Sequence, residues 1–213
     1  HASKVLRLRV GETIHLLDGR GKKFVTKITV IEGKKVAFGP IELIESESSP
    51  AYTIQLYVAP TKQMERMEWM VEKITEVGFH ELTLLDTMHG ERSFLKTDRL
   101  QKKIISACKQ SIKWRTPAVN GSTKLSELLK SSDFVDYQKF IAYVDENHTH
   151  HLLDLAKAGG KYLILIGPEG DFDPKEIQLA FAHGFQAVSL GKSRLRTETA
   201  GLAAIQMLQV VNR

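Results

Sequence analysis

Short apolar runs broken by turns fill the first sixty residues, and a longer helical period takes over after them. Thr13–Leu17, Phe24–Ile31, Lys35–Phe38 and Ile41–Ile44 are β-prone, and Asp18-Gly19, Glu32-Gly33 and Gly39-Pro40 separate them as turns. The pattern predicts a small antiparallel barrel or sandwich. The polar stretch Ser46–Pro50 marks its end. Thr53–Ala59 is then a further apolar strand, stopped by Pro60.

From there strands and helices alternate. Gln63–Val77 carries Met67, Met70, Val71, Ile74 and Val77 at helical spacing, and Gly78 ends the run. Leu82–Asp86 reads as a strand. Asp98 is a candidate cap for a helix whose apolar face carries Leu100, Ile104, Ile105, Cys108 and Ile112. Phe140–Val144 is a strand, and His151–Ala158 a short helix closed by Gly159-Gly160. Tyr162–Ile166 is an apolar run of the kind buried on both faces of a sheet. Asp173-Pro174-Lys175-Glu176 combines an N-cap Asp, a first-turn Pro and a capping-box Glu. Gly184 ends that helix, Ala187–Leu190 is the next strand, and a last helix runs from about Thr197 to Val211. A β-rich module thus precedes an α/β domain with a mainly parallel sheet, divided at residues 1–50 and 51–213.

Composition narrows the function classes. The 213 residues are 42% hydrophobic and 26% charged, as in ordinary globular proteins. No apolar run approaches the roughly 18–20 residues that span a bilayer, and the start does not read as a secretory signal. The chain begins at His1 without Met, so it is expected to begin inside a longer protein, with part of the barrel missing. A net charge of +5 is compatible with a polyanionic partner. The single cysteine, Cys108, excludes an internal disulfide and a Cys-rich zinc site, and it suits a reducing cytoplasm.

Two strand-end loops carry the chemistry. Ile166-Gly167-Pro168-Glu169-Gly170-Asp171-Phe172 is a tight turn whose glycines let a ligand approach main-chain N–H groups. It suits a nucleoside, with Ile166 or Phe172 in apolar contact. It lacks the Lys-Ser/Thr of a phosphate-binding loop and the dinucleotide fingerprint. The competing reading is a plain strand-to-helix turn. The second loop, Leu190-Gly191-Lys192-Ser193-Arg194-Leu195-Arg196-Thr197-Glu198-Thr199-Ala200, leads into the last helix. Thr197 as N-cap and Glu198 near the positive helix end are explained by capping. Lys192, Arg194 and Arg196 are not, because positive charge is unfavourable there. Such a violation is expected at a functional site.

The Gly-Pro-Glu-Gly loop, followed by Leu-Gly and then Leu-Arg-Thr-Glu-Thr-Ala, resembles the RsmE family of ribosomal RNA methyltransferases. The likeness extends over nearly the whole chain. It includes Val5-Leu6-Arg7-Leu8 with Gly11, Glu68-Trp69 with Glu72-Lys73, Glu76-Val77-Gly78, Glu91-Arg92-Ser93, and Gln110-Ser111 with Pro117. The resemblance implies a SPOUT methyltransferase domain, an α/β fold with a deep trefoil knot, preceded by a PUA-like β-barrel that grips RNA. It implies a cytoplasmic homodimer that methylates N3 of a uridine in 16S ribosomal RNA with S-adenosylmethionine. The cofactor would lie among Ile166, Gly167, Pro168, Glu169, Gly170, Leu190, Gly191, Leu195 and Arg196. Asp171 stands where the family usually has Gly. Ser193-Arg194 stands where it has Arg and then an aliphatic, and Lys109 where Glu is common.

The catalytic roles then fall to Arg196, facing the uracil oxygens, and Glu198, as base or water-orienter. RNA contact is assigned to Lys4, Arg7 and Arg9 in the barrel and to Arg92, Lys113 and Arg115 beside the site. Trp114 either stacks on a base or packs at a helix end. Cys108 and the Met64, Met67 and Met70 set read as core. His148, His150 and His151 form no standard metal spacing and read as surface, with His148 at the rim of the cofactor pocket. No metal is implied. The rival readings are a ribose 2′-O-methyltransferase of the same fold class and an RNA-binding protein without activity.

Overall fold

The computed structural model describes residues 8–33, 35–90, 97–144 and 150–213. Lys4, Arg7, Arg92 and His148 lie outside the described residues. Those described form two compact units.

The first unit is built on one long strand. β1 (Thr13–Leu17), β2 (Lys22–Glu32), β3 (Lys35–Phe38) and β4 (Glu42–Ser46) form an antiparallel sheet in which β2 pairs with the other three. The β1–β2 turn is fixed by Asp18, whose carboxylate accepts the N–H groups of Arg20 and Lys22 at 2.7 and 3.0 Å. Those bonds hold its carboxyl below the usual range, that from Lys22 first. Inward positions of β2 alternate, with Thr26 and Ile28 buried. Ile112–Thr116, though distant in sequence, belongs to this unit. Gly21 N–H donates to Trp114 O, and Thr116 N–H donates to Gly19 O.

The second unit contains β5 (Thr53–Val58), α1 (Met64–Val77), β6 (Glu81–Asp86), α2 (Thr97–Ser111), β7 (Ala118–Lys124), α3 (Leu125–Leu128), β8 (Tyr137–Ala142), α4 (Leu152–Leu155), β9 (Lys161–Ile166), α5 (Pro174–Ala182), β10 (Gln186–Val188) and α6 (Thr197–Val211). The sheet order is β10-β8-β9-β5-β6-β7, and every pairing in it is parallel. The central strands are buried on both faces. Ile54, Leu56 and Val58 of β5 and Tyr162, Ile164 and Ile166 of β9 join one core with α1, α2 and α6. Tyr57, Leu163 and Leu165 join the opposite core with Leu125, Leu128 and Ala180. Two-sided burial is why Tyr162–Ile166 shows no alternation.

Several details depart from the pattern. β7 reads as no strand, because Asn120-Gly121 looks like a turn and its side chains are mostly polar. It forms at the sheet edge, where Asn120 donates to Glu81 and Thr83 and a bulge lies opposite Thr83/Leu84. β8 begins three residues earlier than expected, and α4 is only four residues long. Asp98 lies inside the first turn of α2. Ile105 and Ile112 are exposed, and Ile112 has φ +55°, so the apolar stripe ends at Cys108.

α6 is seated against α1 by a missing side chain. A Cβ on Gly201 would come within 2.6 Å of the buried Met70 sulfur. At its far end Gln209 donates to Gly78 O at 2.7 Å and accepts from the Tyr52 hydroxyl at 2.5 Å. α1 is tied to α2 by Lys103, which donates to Glu72 at 2.5 Å, and Lys73 reaches the same carboxylate at 3.0 Å. These contacts, the Lys103 bond first, hold the Glu72 carboxyl below its ordinary range.

Gly201→Val is expected to cost about 1–3 kcal/mol, the usual penalty for overpacking a filled core, seen as a lower urea midpoint. A carboxyl lowered by folding stabilises fully above its ordinary pKa and loses that contribution as pH falls through the lowered value. Glu72→Gln should therefore narrow the gap to wild type as pH falls through the acidic range, in melts followed by circular dichroism.

Candidate active site

The strand order sets the place. From β5 the chain winds outward through β6 to β7, while β8, β9 and β10 lie on the other side of β5. The direction reverses between β5 and β9, and open α/β sheets bind ligands at the carboxyl ends of strands flanking such a reversal. The loops after β5, β6 and β9 meet there around a hollow of about 220 Å³ lined by Pro60, Lys62, His89, Pro168, Glu169 and Gly170.

The β9 loop is a compact turn. Asp171 N–H donates to Pro168 O at 3.0 Å, and Asp171 holds φ +64°. Aspartate enters this left-handed region more readily than most residues, so the turn survives without the glycine usual there. Its carboxylate also accepts the N–H groups of Phe172 and Val144 at 2.8 and 2.9 Å, tying the loop to the chain leaving β8. His89 sits across the turn, its Nδ1 3.2 Å from Asp171 O and its Nε2 3.7 Å from the Asp173 carboxylate. Gly167 is closely approached, since a Cβ there would stand 3.0 Å from the Phe172 ring, which would have to shift slightly.

The second loop is pinned to the first. The Thr197 hydroxyl donates to Gly167 O at 3.0 Å, in a buried position. Thr197 is therefore not the N-cap that the sequence suggests. Arg196 occupies the cap with extended backbone and gives no side-chain cap bond. Thr197 is the first helical residue, and its hydroxyl is committed to the other loop. Earlier in the loop, Ser189 Oγ accepts from Gly191 N–H at 3.1 Å, and Gly191 adopts φ +125°, which L side chains rarely enter.

Charge gathers at this junction. Arg66 of α1 donates to Glu169 at 2.9 Å and stands 3.8 Å from Glu198. Glu198 is 7% exposed, and its Oε2 is buried with no hydrogen-bond partner among the described residues. Arg196 is exposed at the helix start. Arg66 had no signature in the sequence, because it lies beside the apolar stripe of α1 and reads as a solvated flank. The arrangement offers one carboxylate and glycine-bared main chain lining a small hollow, with Arg66 and Glu198 behind that carboxylate, a set suited to a zwitterionic nucleoside. The buried, partnerless Glu198 oxygen accepts a donor readily, and a cofactor with an ammonium group and a cationic sulfur fits it.

The other sequence-derived candidates divide. Pro168, Glu169 and Gly170 line the hollow, Gly167 takes the Thr197 bond, and Glu198 stands near Arg66, which bonds Glu169. Leu190 and Gly191 lie on the same loop as Leu195, beyond β10. Lys113 and Arg115, expected beside the site, belong to the first unit. Arg115 donates to Glu47 O and Ser48 O at 3.1 and 3.4 Å, and its guanidinium lies where a Gly21 Cβ would be. That makes it a strut of the unit. Trp114 is half-buried, with the Lys23 ammonium 5.4 Å from its ring centre. Arg9 is exposed. Cys108, Met67 and Met70 are core, and His151 caps α4 by accepting from Leu153 N–H. Among the described residues no group of three His, Cys, Asp or Glu is placed to hold a metal ion.

Comparison with known proteins gives a consistent result. A family described as RNA methyltransferase domain matches residues 47–209, and one described as RNA methyltransferase PUA domain matches residues 1–41. A probable rRNA-methyltransferase from Porphyromonas gingivalis superposes with a TM-score of 0.91 and 40% identity, covering 100% of this chain and 90% of that one. Ribosomal RNA small subunit methyltransferase E from Neisseria gonorrhoeae, solved bound to S-adenosyl methionine, superposes with a TM-score of 0.84 and 32% identity over 99% of this chain and 87% of that one. Its namesake from Aquifex aeolicus is 29% identical over 96% of this chain and 93% of its own length.

Thr197→Val keeps the side-chain shape and leaves Gly167 O buried without a donor. It should cost about 1–3 kcal/mol, the penalty of an unsatisfied buried group, read from urea unfolding. Asp171→Gly keeps the turn conformation but loses the Val144 tie, and it should be much milder than Asp171→Val, which the positive φ strains.

Proposed function

The chain belongs to the RNA methyltransferase family, and from that premise we propose that it transfers the methyl group of S-adenosylmethionine to N3 of a uridine in 16S ribosomal RNA. The bond from Thr197 to Gly167 carries the reading, because it closes the two motif loops into one site. The names of the relatives supply the substrate class, and the resemblance of Leu195–Ala200 to the RsmE signature supplies the uridine and its N3. The reading includes the trefoil knot of the SPOUT fold. The return of α6 against β5 and β9, after β10 at the far edge, accords with it. It also includes a homodimer in the cytoplasm. Among the described residues no helix is long and apolar enough to cross a membrane.

Ile166–Gly170 and the Leu190–Arg196 loop hold the cofactor, which supplies an electrophilic methyl on a sulfonium. Uridine N3 is protonated at neutral pH, and its lone pair is tied into the ring. The residues here must therefore remove a proton and stabilise charge spreading to O2 and O4. Arg196 sits at the rim with its guanidinium exposed and is assigned to the uracil oxygens, where developing charge is best stabilised by a preplaced cation. Glu198 is the proton acceptor or holds the water that accepts it. Arg66 fixes that carboxylate and links it to Glu169, which makes Arg66 a positioning residue. Alignment of the two reactants supplies much of the remaining acceleration. Arg9 joins the RNA-binding set, as do Lys4, Arg7 and Arg92. Lys113 retains its place there on the first unit, while Arg115 acts through the fold of that unit.

The deciding experiment is mass spectrometry of 16S RNA from unmethylated small subunits after incubation with the protein and labelled cofactor. A methyl on a uracil ring is expected, and a methyl on ribose would favour the 2′-O alternative. Arg196→Ala should lower kcat by about 10²–10³, the usual effect of removing one charge-stabilising donor, and cofactor affinity by calorimetry should fall far less. Equal losses in both would remove its catalytic role.

A further inference from the structure

The loop after β6 carries one side chain that the roles above leave unassigned. His89 stands on a short segment whose backbone is fixed on both sides of it. Met88 N–H donates to the buried Glu176 carboxylate at 2.9 Å, and Gly90 N–H donates to Thr87 O at 3.0 Å. A Cβ on Gly90 would stand 2.7 Å from the Thr87 hydroxyl oxygen, so this turn closes tightly. The segment is a wall between two hollows. Met88 lines one of about 340 Å³ at the carboxyl ends of β6 and β7, and His89 lines the smaller one at the candidate active site.

The contacts of His89 fall on the β9 turn. A Cβ on Gly170 would meet the His89 Cβ at 3.7 Å, and His89 Nδ1 stands 3.2 Å from Asp171 O. A carbonyl oxygen only accepts, so the proton of this bond sits on Nδ1 and the ring donates. Nε2 faces the Asp173 carboxylate at 3.7 Å, beyond hydrogen-bond reach. The peptide unit that His89 holds is a demanding one. Asp171 keeps φ +64° without the freedom of glycine, and the next peptide unit joins it to Phe172. The N–H of that unit is taken by the Asp171 carboxylate at 2.8 Å, and its carbonyl by His89. Asp171 N–H closes the turn on Pro168 O at 3.0 Å, so the setting of Asp171 decides how Pro168, Glu169 and Gly170 stand over the hollow.

We propose that His89 is a positioning residue for the methyl donor. Its Nδ1–H holds the Asp171 carbonyl and so keeps the Pro168–Gly170 main chain at the spacing that S-adenosylmethionine requires. His89 acts through Asp171 and not on the reacting atoms. The identity of the ligand rests on the methyl-transfer reading above, and the latch itself rests on the contacts alone.

Three variants separate those contacts. In His89→Asn the amide nitrogen stands as many bonds from Cβ as Nδ1 does, which keeps a donor at Asp171 O. In His89→Gln the amide nitrogen reaches the place of Nε2 instead, and His89→Ala keeps neither. Calorimetry with S-adenosylmethionine should show His89→Ala and His89→Gln binding about fivefold more weakly, the scale of one hydrogen bond. Amide exchange followed by NMR in the protein alone should be faster by a similar factor at Asp171 and Phe172 in both. His89→Asn should stay within about twofold of wild type in each measurement, since its bond survives. Equal losses in His89→Asn and His89→Ala, rescue by His89→Gln in place of His89→Asn, or wild-type behaviour of all three would overturn the proposal. So would a fall in thermal midpoint common to all three with faster exchange throughout β9 and α5, which marks a general structural role. Absence of binding heat with the wild-type protein would count against the methyl-transfer reading, and the exchange rates would then decide the latch by themselves.

Discussion

The site depends on one hydroxyl donated across two loops. Gly167 O lies at the end of a central strand, where no further sheet partner is available, and Thr197 at the start of α6 satisfies it. A buried carbonyl left without a donor is costly, so the bond fixes the distance between the loops as well as adding stability. Everything that must act together at the junction inherits that distance. Glu198 is the residue after Thr197, Arg196 the one before, and Pro168 the one after Gly167.

Around this bond the charges are arranged by packing. Arg66 reaches both Glu169 and Glu198 because α1 lies against α6. That closeness needs Gly201 opposite Met70. A packing choice far from the chemistry therefore positions a carboxylate in it. The Asp171 carboxylate plays a similar part on the other side, where two backbone N–H bonds join the β9 loop to the chain leaving β8. A glycine there would allow the turn but could not make the tie.

The two hollows on the sheet edge follow from the same topology. Parallel strands deliver their following loops to one edge, and the reversal between β5 and β9 splays the loops apart. The segment after β6 then forms a partition, with Met88 on one side and His89 on the other. Its position is held by Glu176, whose place at the third position of α5 makes it both a capping-box residue and an anchor for Met88.

The sequence by itself determined the elements with strong local signals. The apolar run of β9, the capping box of α5 and the apolar period of the last helix were legible because each is a strong signal carried by neighbouring residues. The two loops were legible because glycine and clustered charge are local properties. Tertiary structure decided the rest. β7 exists because β6 offers an edge to its polar residues. Lys113 and Arg115 lie in the first unit because their neighbours Trp114 and Thr116 bond to Gly21 and Gly19, some ninety positions away. Thr197 turns from cap to cross-link, and Arg66 from surface charge to clamp. These outcomes rest on contacts between residues distant along the chain, which no local pattern of side chains encodes.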